Sequence, residues 1–144
     1  MSEDMIKVEV NGQEYPARKG EMLIQVTDRE GITVPRFCYH EKLTIAANCR
    51  MCLIEVEKAP KALPACATPV MDGMKAFTRS PKALAAQKAV MEFLLINHPL
   101  DCPICDQGGE CELQDVAHAG SAFGAFSTSI RHMRQFAATV SFSW

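Results

Sequence analysis

The chain has 144 residues and a formal net charge of −2, with 22% charged and 48% hydrophobic residues. This length suits one domain with a short appendage, and the composition is that of a globular protein. The charge offers no basic surface for nucleic acid. No apolar run approaches the ~20 residues that span a bilayer, and the acidic N-terminus is no signal or transit peptide, so we expect a cytoplasmic location.

The first thirty residues predict a hairpin followed by a helix. Residues 6–10 alternate apolar and polar side chains, Asn11-Gly12 is a two-residue turn signal, and residues 13–17 form the return strand. Gly20 opens a helix over about 21–30, and Gly31 ends it. With the cysteine-rich loop that follows, this order is typical of the start of a β-grasp fold.

Short strands and one long helix are predicted for the middle of the chain. Residues 36–52 are interpreted as an irregular loop, residues 53–57 as a strand, and residues 63–68 and 75–78 as short strands. Ser80-Pro81 provides an N-cap and a proline at the first helical position, so residues 81–97 should form an amphipathic helix. Its predicted apolar face contains Ala83, Ala86, Val90, Phe93, Leu94 and Asn97.

The seven cysteines need an explanation, because cytosolic thiols are kept reduced. Their odd number would also leave one cysteine without a partner in a disulfide framework. Ligation of a metal or a cluster is therefore the better interpretation. A buried inert thiol is the alternative for any single cysteine.

Four of the cysteines give the spacing C-x10-C-x2-C-x13-C, namely Cys38, Cys49, Cys52 and Cys66. Three ligands on one irregular loop and a fourth from a distant strand is how ferredoxin-type domains hold a [2Fe–2S] cluster. Small polar loop residues would let backbone N–H groups turn toward the bridging sulfides. A four-cysteine zinc site is the first alternative, although only one short hook exists. A redox-active Cys49/Cys52 pair is the second, although the βαβ context is absent.

The other three cysteines follow a histidine in the pattern H-x3-C-x2-C-x5-C, namely His98, Cys102, Cys105 and Cys111. Three thiolates and one imidazole are enough for a [4Fe–4S] cubane, and Gly108-Gly109 permit positive φ angles that let the loop wrap closely. All seven cysteines and one histidine then serve as eight ligands. A Cys3His zinc site is the alternative. We interpret the remaining histidines as structural or exposed: His40, His118 and His132.

Four stretches resemble one known family: residues 35–40 (PRFCYH), 47–52 (ANCRMC), 63–69 (LPACATP) and 97–115 (NHPLDCPICDQGGECELQD). Through them, the chain from about Val8 to Ala117 resembles the N-terminal part of the large iron–sulfur subunit (the 75 kDa type) of respiratory complex I. The same pair of domains is similar in NAD-linked hydrogenases and cytosolic formate dehydrogenases, which are the alternative.

This resemblance implies a [2Fe–2S] centre on Cys38, Cys49, Cys52 and Cys66, and a His-ligated [4Fe–4S] centre on His98, Cys102, Cys105 and Cys111. It also implies relay of single electrons from NADH, through the flavin of a partner subunit, toward quinone. Such a chain would be peripheral on the cytoplasmic face of the bacterial inner membrane. The sequence has no G-x-G-x-x-G motif and no nucleophile–base pair, so we expect an electron carrier without a substrate site or catalytic residues of its own.

We therefore expect an α+β fold in three parts. Residues 1–80 are predicted to form a β-grasp, ferredoxin-like [2Fe–2S] domain, and residues 81–117 a helix with a small [4Fe–4S]-binding segment. Residues 118–144 contain no cysteine and do not resemble the continuation found in the family. We expect this tail to be poorly ordered and to derive from a truncated or frame-disrupted product.

Overall fold

A computed structural model of the chain describes residues 5–99 and 101–119, without the side chains of the last two. The strands are β1 (Met5–Val10), β2 (Gln13–Arg18), β3 (Leu53–Val56), β4 (Leu63–Pro64) and β5 (Met74–Phe77). The helices are α1 (Leu23–Arg29), α2 (Pro81–Leu95) and α3 (Glu112–Ala119), and two 3₁₀ turns cover Ala65–Ala67 and Cys102–Ile104. In these ranges no helix is long and apolar enough to cross a membrane.

The five strands form one mixed sheet in the order β2-β1-β5-β3-β4. β1 and β5 are parallel, whereas the other neighbours are antiparallel. The β1–β2 turn has positive φ angles at Asn11 (54°) and Gly12 (87°), as a type I′ hairpin requires. The predicted hairpin therefore lies where its turn residues indicate.

The hydrophobic core contains side chains from the sheet and from α1. Leu23, Ile24 and Val26 of α1 are fully buried in one cluster with side chains of β1 and β3. Two of the cysteines, Cys52 and Cys66, belong to the same buried cluster. The packing that stabilises the sheet thus also holds one side of the cysteine site.

The second predicted short strand is mostly a turn. Only Leu63–Pro64 pairs with β3, and Ala65–Ala67 follows as a 3₁₀ turn. Pro64 has no N–H to continue a ladder, and the Thr68 hydroxyl donates to the Pro64 carbonyl at 2.7 Å. The prediction of a strand over residues 63–68 was therefore wrong beyond residue 64.

Helix α2 begins where the sequence indicates but buries a different face. The Ser80 hydroxyl accepts a hydrogen bond of 3.1 Å from the Ala83 amide, as an N-cap does. The buried stripe of α2 consists of Ala83, Gln87 and Met91, whereas Phe93 is 78% exposed. Of the predicted face, Ala83 is buried and Ala86 and Val90 are half-buried. The prediction was wrong for Phe93, Leu94 and Asn97, which are exposed, and it missed Gln87 at the centre of the buried stripe.

The chain divides into two compact units between Gln87 and Lys88, inside α2. The three predicted domains, 1–80, 81–117 and 118–144, remain predictions. Apart from the last two residues of α3, the predicted tail lies outside the described residues.

Candidate metal centres

Four cysteines come together in the first unit. Cys38 and Cys49 lie half-buried on the loop between α1 and β3, Cys52 is buried directly before β3, and Cys66 is buried in the 3₁₀ turn after β4. The Ala65 amide donates to the Cys52 carbonyl at 2.9 Å. The pairing of β3 with β4 therefore brings Cys66, the last of these four cysteines in the chain, to the loop.

The four thiols form two interacting pairs. Cys38 interacts with Cys49, and Cys52 interacts with Cys66, which is also affected by the charges of Cys38 and Cys49. The described cysteines are all free thiols. A [2Fe–2S] core needs four thiolates, two on each iron, so a division into pairs suits this cluster.

Cys49 lies in an environment that favours its thiolate. Burial raises its pKa. Hydrogen bonds from the backbone amides of Met51, Cys38 and Phe37 and from the Cys38 thiol lower the pKa by more in total, so the net shift is downward. The Met51 amide lies 3.5 Å from the Cys49 sulfur. Backbone N–H groups that point at a sulfur ligand stabilise its negative charge.

The pKa of Cys66 is shifted in the opposite direction, upward. Burial raises its pKa, the hydrogen bond to Cys52 and the charges on Cys52, Cys38 and Cys49 raise it as well, and the resulting pKa is about 12. A thiolate at Cys66 would therefore be repelled by negative charge on the other three cysteines when no cation is present. A cationic iron core would remove that repulsion, so the residues fit the cluster.

Two loop residues beside the cysteines adopt left-handed backbone conformations. The φ angles of Ala47 and Arg50 are 51° and 58°, which non-glycine residues rarely adopt. Such strain persists where the surrounding structure imposes it, and it concentrates at functional sites. The sequence offered no glycine or asparagine at either position as a signal, so these conformations were not predictable from it.

The pairs do not converge on one point. In the described ranges, no three His, Cys, Asp or Glu side chains are grouped closely enough to hold a single metal ion.

In the second unit, backbone hydrogen bonds shape a compact cysteine loop. The Cys105 amide donates to the Cys102 carbonyl at 3.3 Å, and the Gly108 amide donates to the Cys105 carbonyl at 2.9 Å. A Cβ at Gly108 would lie 2.8 Å and 3.0 Å from these two carbonyl oxygens. Only glycine therefore fits at 108, and Gly109 adds a φ of +92°.

Cys111 lies at the start of α3, a helix that the sequence analysis did not predict. Its carbonyl accepts the Asp115 amide at 3.1 Å, so its thiol lies near the positive end of the helix. The acidic residues of the first turn, Glu112 and Asp115, also suit a helix N-terminus and were the available signal.

The second set of predicted ligands is more exposed than the first. Cys105 and His98 are exposed, whereas Cys102 and Cys111 are half-buried. Within the described residues, no hydrogen bond or ion pair joins the side chains of these four. Residue 100, between His98 and the cysteines, lies outside the described residues.

Of the other three histidines, the structure describes His40 in full. His40 is exposed, and its Nδ1 accepts the Lys42 amide at 3.2 Å. The side chain of His118 and the whole of His132 lie outside the described residues.

Two family models match the chain. A 2Fe-2S iron–sulfur cluster binding domain matches residues 3–81, and the NADH-ubiquinone oxidoreductase-G iron–sulfur binding region matches residues 87–120. The predicted cofactors, one [2Fe–2S] cluster and one [4Fe–4S] cluster, are thereby confirmed.

Curated relatives are similar over most of the chain. The NADH-ubiquinone oxidoreductase 75 kDa subunit of Reclinomonas americana is 57% identical over 85% of this chain and 18% of its own length. An iron–sulfur protein 1 of NADH dehydrogenase from Solanum tuberosum is 56% identical over 87% and 17%. The NADH-ubiquinone oxidoreductase 78 kDa subunit of Neurospora crassa is 57% identical over 76% and 15%. The chain thus spans less than a fifth of the length of these relatives.

A solved structure supports the fold. A chain of an NAD⁺-reducing [NiFe]-hydrogenase aligns with a TM-score of 0.72 and 22% identity, over 83% of this chain and 49% of that chain. The expected α+β, ferredoxin-like fold is confirmed, and so is the resemblance to the large iron–sulfur subunit of complex I. The chain belongs to the family of 2Fe-2S iron–sulfur cluster binding domains.

Proposed function

We propose that this chain relays single electrons from NADH, through the flavin of a partner subunit, toward quinone in a proton-pumping NADH–quinone oxidoreductase. The observation that carries the proposal is the gathering of Cys38, Cys49, Cys52 and Cys66 at one site, with the Met51 amide 3.5 Å from the Cys49 sulfur. The 56–57% identity to subunits of this enzyme supports the assignment to that complex.

The proposed ligands are the eight side chains that the spacing predicts. Cys38 and Cys49 would hold one iron of the [2Fe–2S] cluster, and Cys52 and Cys66 the other, following the two pairs. His98, Cys102, Cys105 and Cys111 would hold the [4Fe–4S] cluster. When bound, these clusters supply one-electron carriers.

The residues of the chain would govern how easily an electron is accepted. The amides around Cys49 stabilise added negative charge, whereas burial of Cys52 and Cys66 opposes it by excluding water. The exposure of Cys38 and Cys49 relative to the buried pair would leave one side of the centre nearer to a partner. We propose that the partner is the flavin-bearing subunit and that the complex lies on the cytoplasmic face of the bacterial inner membrane.

Metal analysis and reconstitution test this proposal. The anaerobically purified chain should contain iron and acid-labile sulfide, and NADH should bleach its visible absorption only when the flavin-bearing subunit of the complex is added. The zinc alternatives of both cysteine sets would instead make the chain a zinc-stabilised interaction module, which predicts a colourless protein that contains zinc. Bleaching that required a hydrogenase or formate dehydrogenase partner would contradict the assignment to the quinone-reducing complex.

A further inference from the structure

Helix α2 buries a polar side chain in the middle of its apolar stripe. Gln87 has no exposed surface and lies one helical turn from Ala83, also fully buried, and one from Met91, 1% exposed. Glutamine is rarely buried completely, because its amide must then find hydrogen-bond partners within the protein. The contacts of this amide therefore indicate why it is there.

β5 pairs with the last two residues of β3, Glu55 and Val56. Glu55 pairs with Phe77, so the same register would place residue 79 opposite Leu53. β5, however, ends at Phe77, and the next amide, that of Thr78, donates to Asn11 Oδ1 at 2.9 Å. β5 thus ends before it reaches the position opposite Leu53.

The Gln87 side chain hydrogen-bonds to the backbone at the start of β3. Its Nε2 donates to the Leu53 carbonyl at 2.8 Å. Leu53 directly follows Cys52, whose own carbonyl accepts the Ala65 amide on the opposite side of the strand. The backbone that presents Cys52 is therefore held from both sides, by β4 on one and by the Gln87 side chain on the other.

Packing alone does not explain a glutamine at this position. Its Oε1 is buried and has no hydrogen-bond partner among the described residues. A buried oxygen without a donor destabilises a fold, and an apolar side chain of similar volume would avoid this cost. The bond from Nε2 to Leu53 is the contact that offsets this cost.

We propose that Gln87 is a positioning residue for the [2Fe–2S] centre, because its amide fixes the backbone that carries Cys52. The inference deepens the proposed function, since it assumes that Cys52 is a ligand. Gln87 acts through Leu53 and Cys52 and does not contact the cluster itself.

The Gln87→Met variant of the full chain tests the role of the amide. The [2Fe–2S] cluster should be lost to a chelator about tenfold faster, which corresponds to a hydrogen bond of about 1.4 kcal/mol, and its EPR g values should shift. The unfolding free energy of the cluster-free chain should change little, because the unpaired Oε1 is removed together with the bond. The [4Fe–4S] signal should be unaffected.

Gln87→Glu provides a second variant with a separate readout. At a pH high enough to ionise this buried carboxyl group, it cannot donate to Leu53, so the cluster should again be lost faster. The added negative charge should also lower the midpoint potential of the [2Fe–2S] centre, which Gln87→Met would not do by charge.

Lys82→Met is the matched control. The Lys82 ammonium also reaches from α2 to a backbone carbonyl, that of Ala59 at 3.0 Å, but it does so beyond the far end of β3. The Lys82→Met variant should have the same g values and the same rate of cluster loss as the unmodified chain. Equal effects of Lys82→Met and Gln87→Met would overturn the inference.

The failure of this inference is distinguishable from that of the ligand assignment. A Cys52→Ala variant that kept the [2Fe–2S] signal would overturn the proposed ligands. If Cys52→Ala lost the signal while both Gln87 variants behaved like the unmodified chain, only the role of Gln87 would be wrong.

Discussion

The Ala65 amide donates a hydrogen bond of 2.9 Å to the carbonyl of Cys52. Ala65 directly precedes Cys66, so one backbone contact brings two cysteines that are distant in the sequence into a pair. Cys52 and Cys66 then lie close enough to interact. The buried half of the site is thus built by strand pairing, whereas the half formed by Cys38 and Cys49 is built within one loop.

Replacement of Gly108 by alanine should remove the [4Fe–4S] cluster selectively. The new Cβ would lie 2.8 Å and 3.0 Å from the backbone carbonyl oxygens of Cys102 and Cys105, which are not free to move without opening the loop. Iron analysis and EPR should show loss of most [4Fe–4S] with [2Fe–2S] retained.

Gly109→Ala is the control for this prediction. No heavy atom lies within 4 Å of a Cβ at Gly109, so its φ of +92° adds only a backbone penalty of about 1–2 kcal/mol. It should therefore keep more of the cluster than Gly108→Ala. The reverse order would show that the close approach at Gly108 is not what the loop requires.

Replacement of Ala47 should affect the [2Fe–2S] centre according to the backbone conformation. Ala47→Val places a β-branched side chain at a φ of 51°, at a cost of about 1–2 kcal/mol or more, and should lower [2Fe–2S] occupancy. Ala47→Gly should retain the cluster. Occupancy is measured from the EPR intensity relative to the [4Fe–4S] signal.

Ala46→Val provides the comparison in the same loop. Ala46 is exposed and is not among the residues with positive φ. The variant should bind the cluster normally. Equal losses in Ala46→Val and Ala47→Val would mean that bulk in the loop matters, and not the left-handed backbone.

The cluster-free chain should lose stability at alkaline pH because of Cys66. Its pKa in the folded state is raised from 9.0 to about 12, chiefly by burial and then by Cys52, so the folded chain holds this proton more tightly than the unfolded chain. The stabilisation of the folded chain by this proton is complete below about pH 9. It decreases as the pH rises toward 12, by at most about 1.4 kcal/mol per pH unit.

Urea unfolding under reducing conditions measures this effect. The unmodified chain should lose more unfolding free energy between about pH 8 and about pH 10 than the Cys66→Ala variant does. Parallel losses in the two proteins would contradict the assignment of the alkaline effect to Cys66.

The sequence predicted those features that depend on local signals. Asn11-Gly12 identifies the hairpin, Ser80-Pro81 identifies the start of α2, and the cysteine spacings indicate two sets of candidate ligands, which remain a prediction. Each of these depends on residues close together in the chain. Their conformational preferences persist in the folded structure.

Features that depend on tertiary contacts were not predictable. The pairing of Cys52 with Cys66 follows from the contact between β3 and β4, and no spacing rule specifies it. The burial of Gln87 reverses the usual polarity of a helix face, so the apolar pattern placed Phe93 in the core when it is 78% exposed. The sequence contains no signal for either feature.

The most direct test of two separate clusters on this chain is low-temperature EPR of the anaerobically purified, dithionite-reduced protein. We expect a [2Fe–2S] signal and a faster-relaxing [4Fe–4S] signal, with Cys52→Ala removing only the first and Cys105→Ala removing only the second. A protein that contained zinc and gave neither signal would contradict the account, as would a variant in which one substitution removed both.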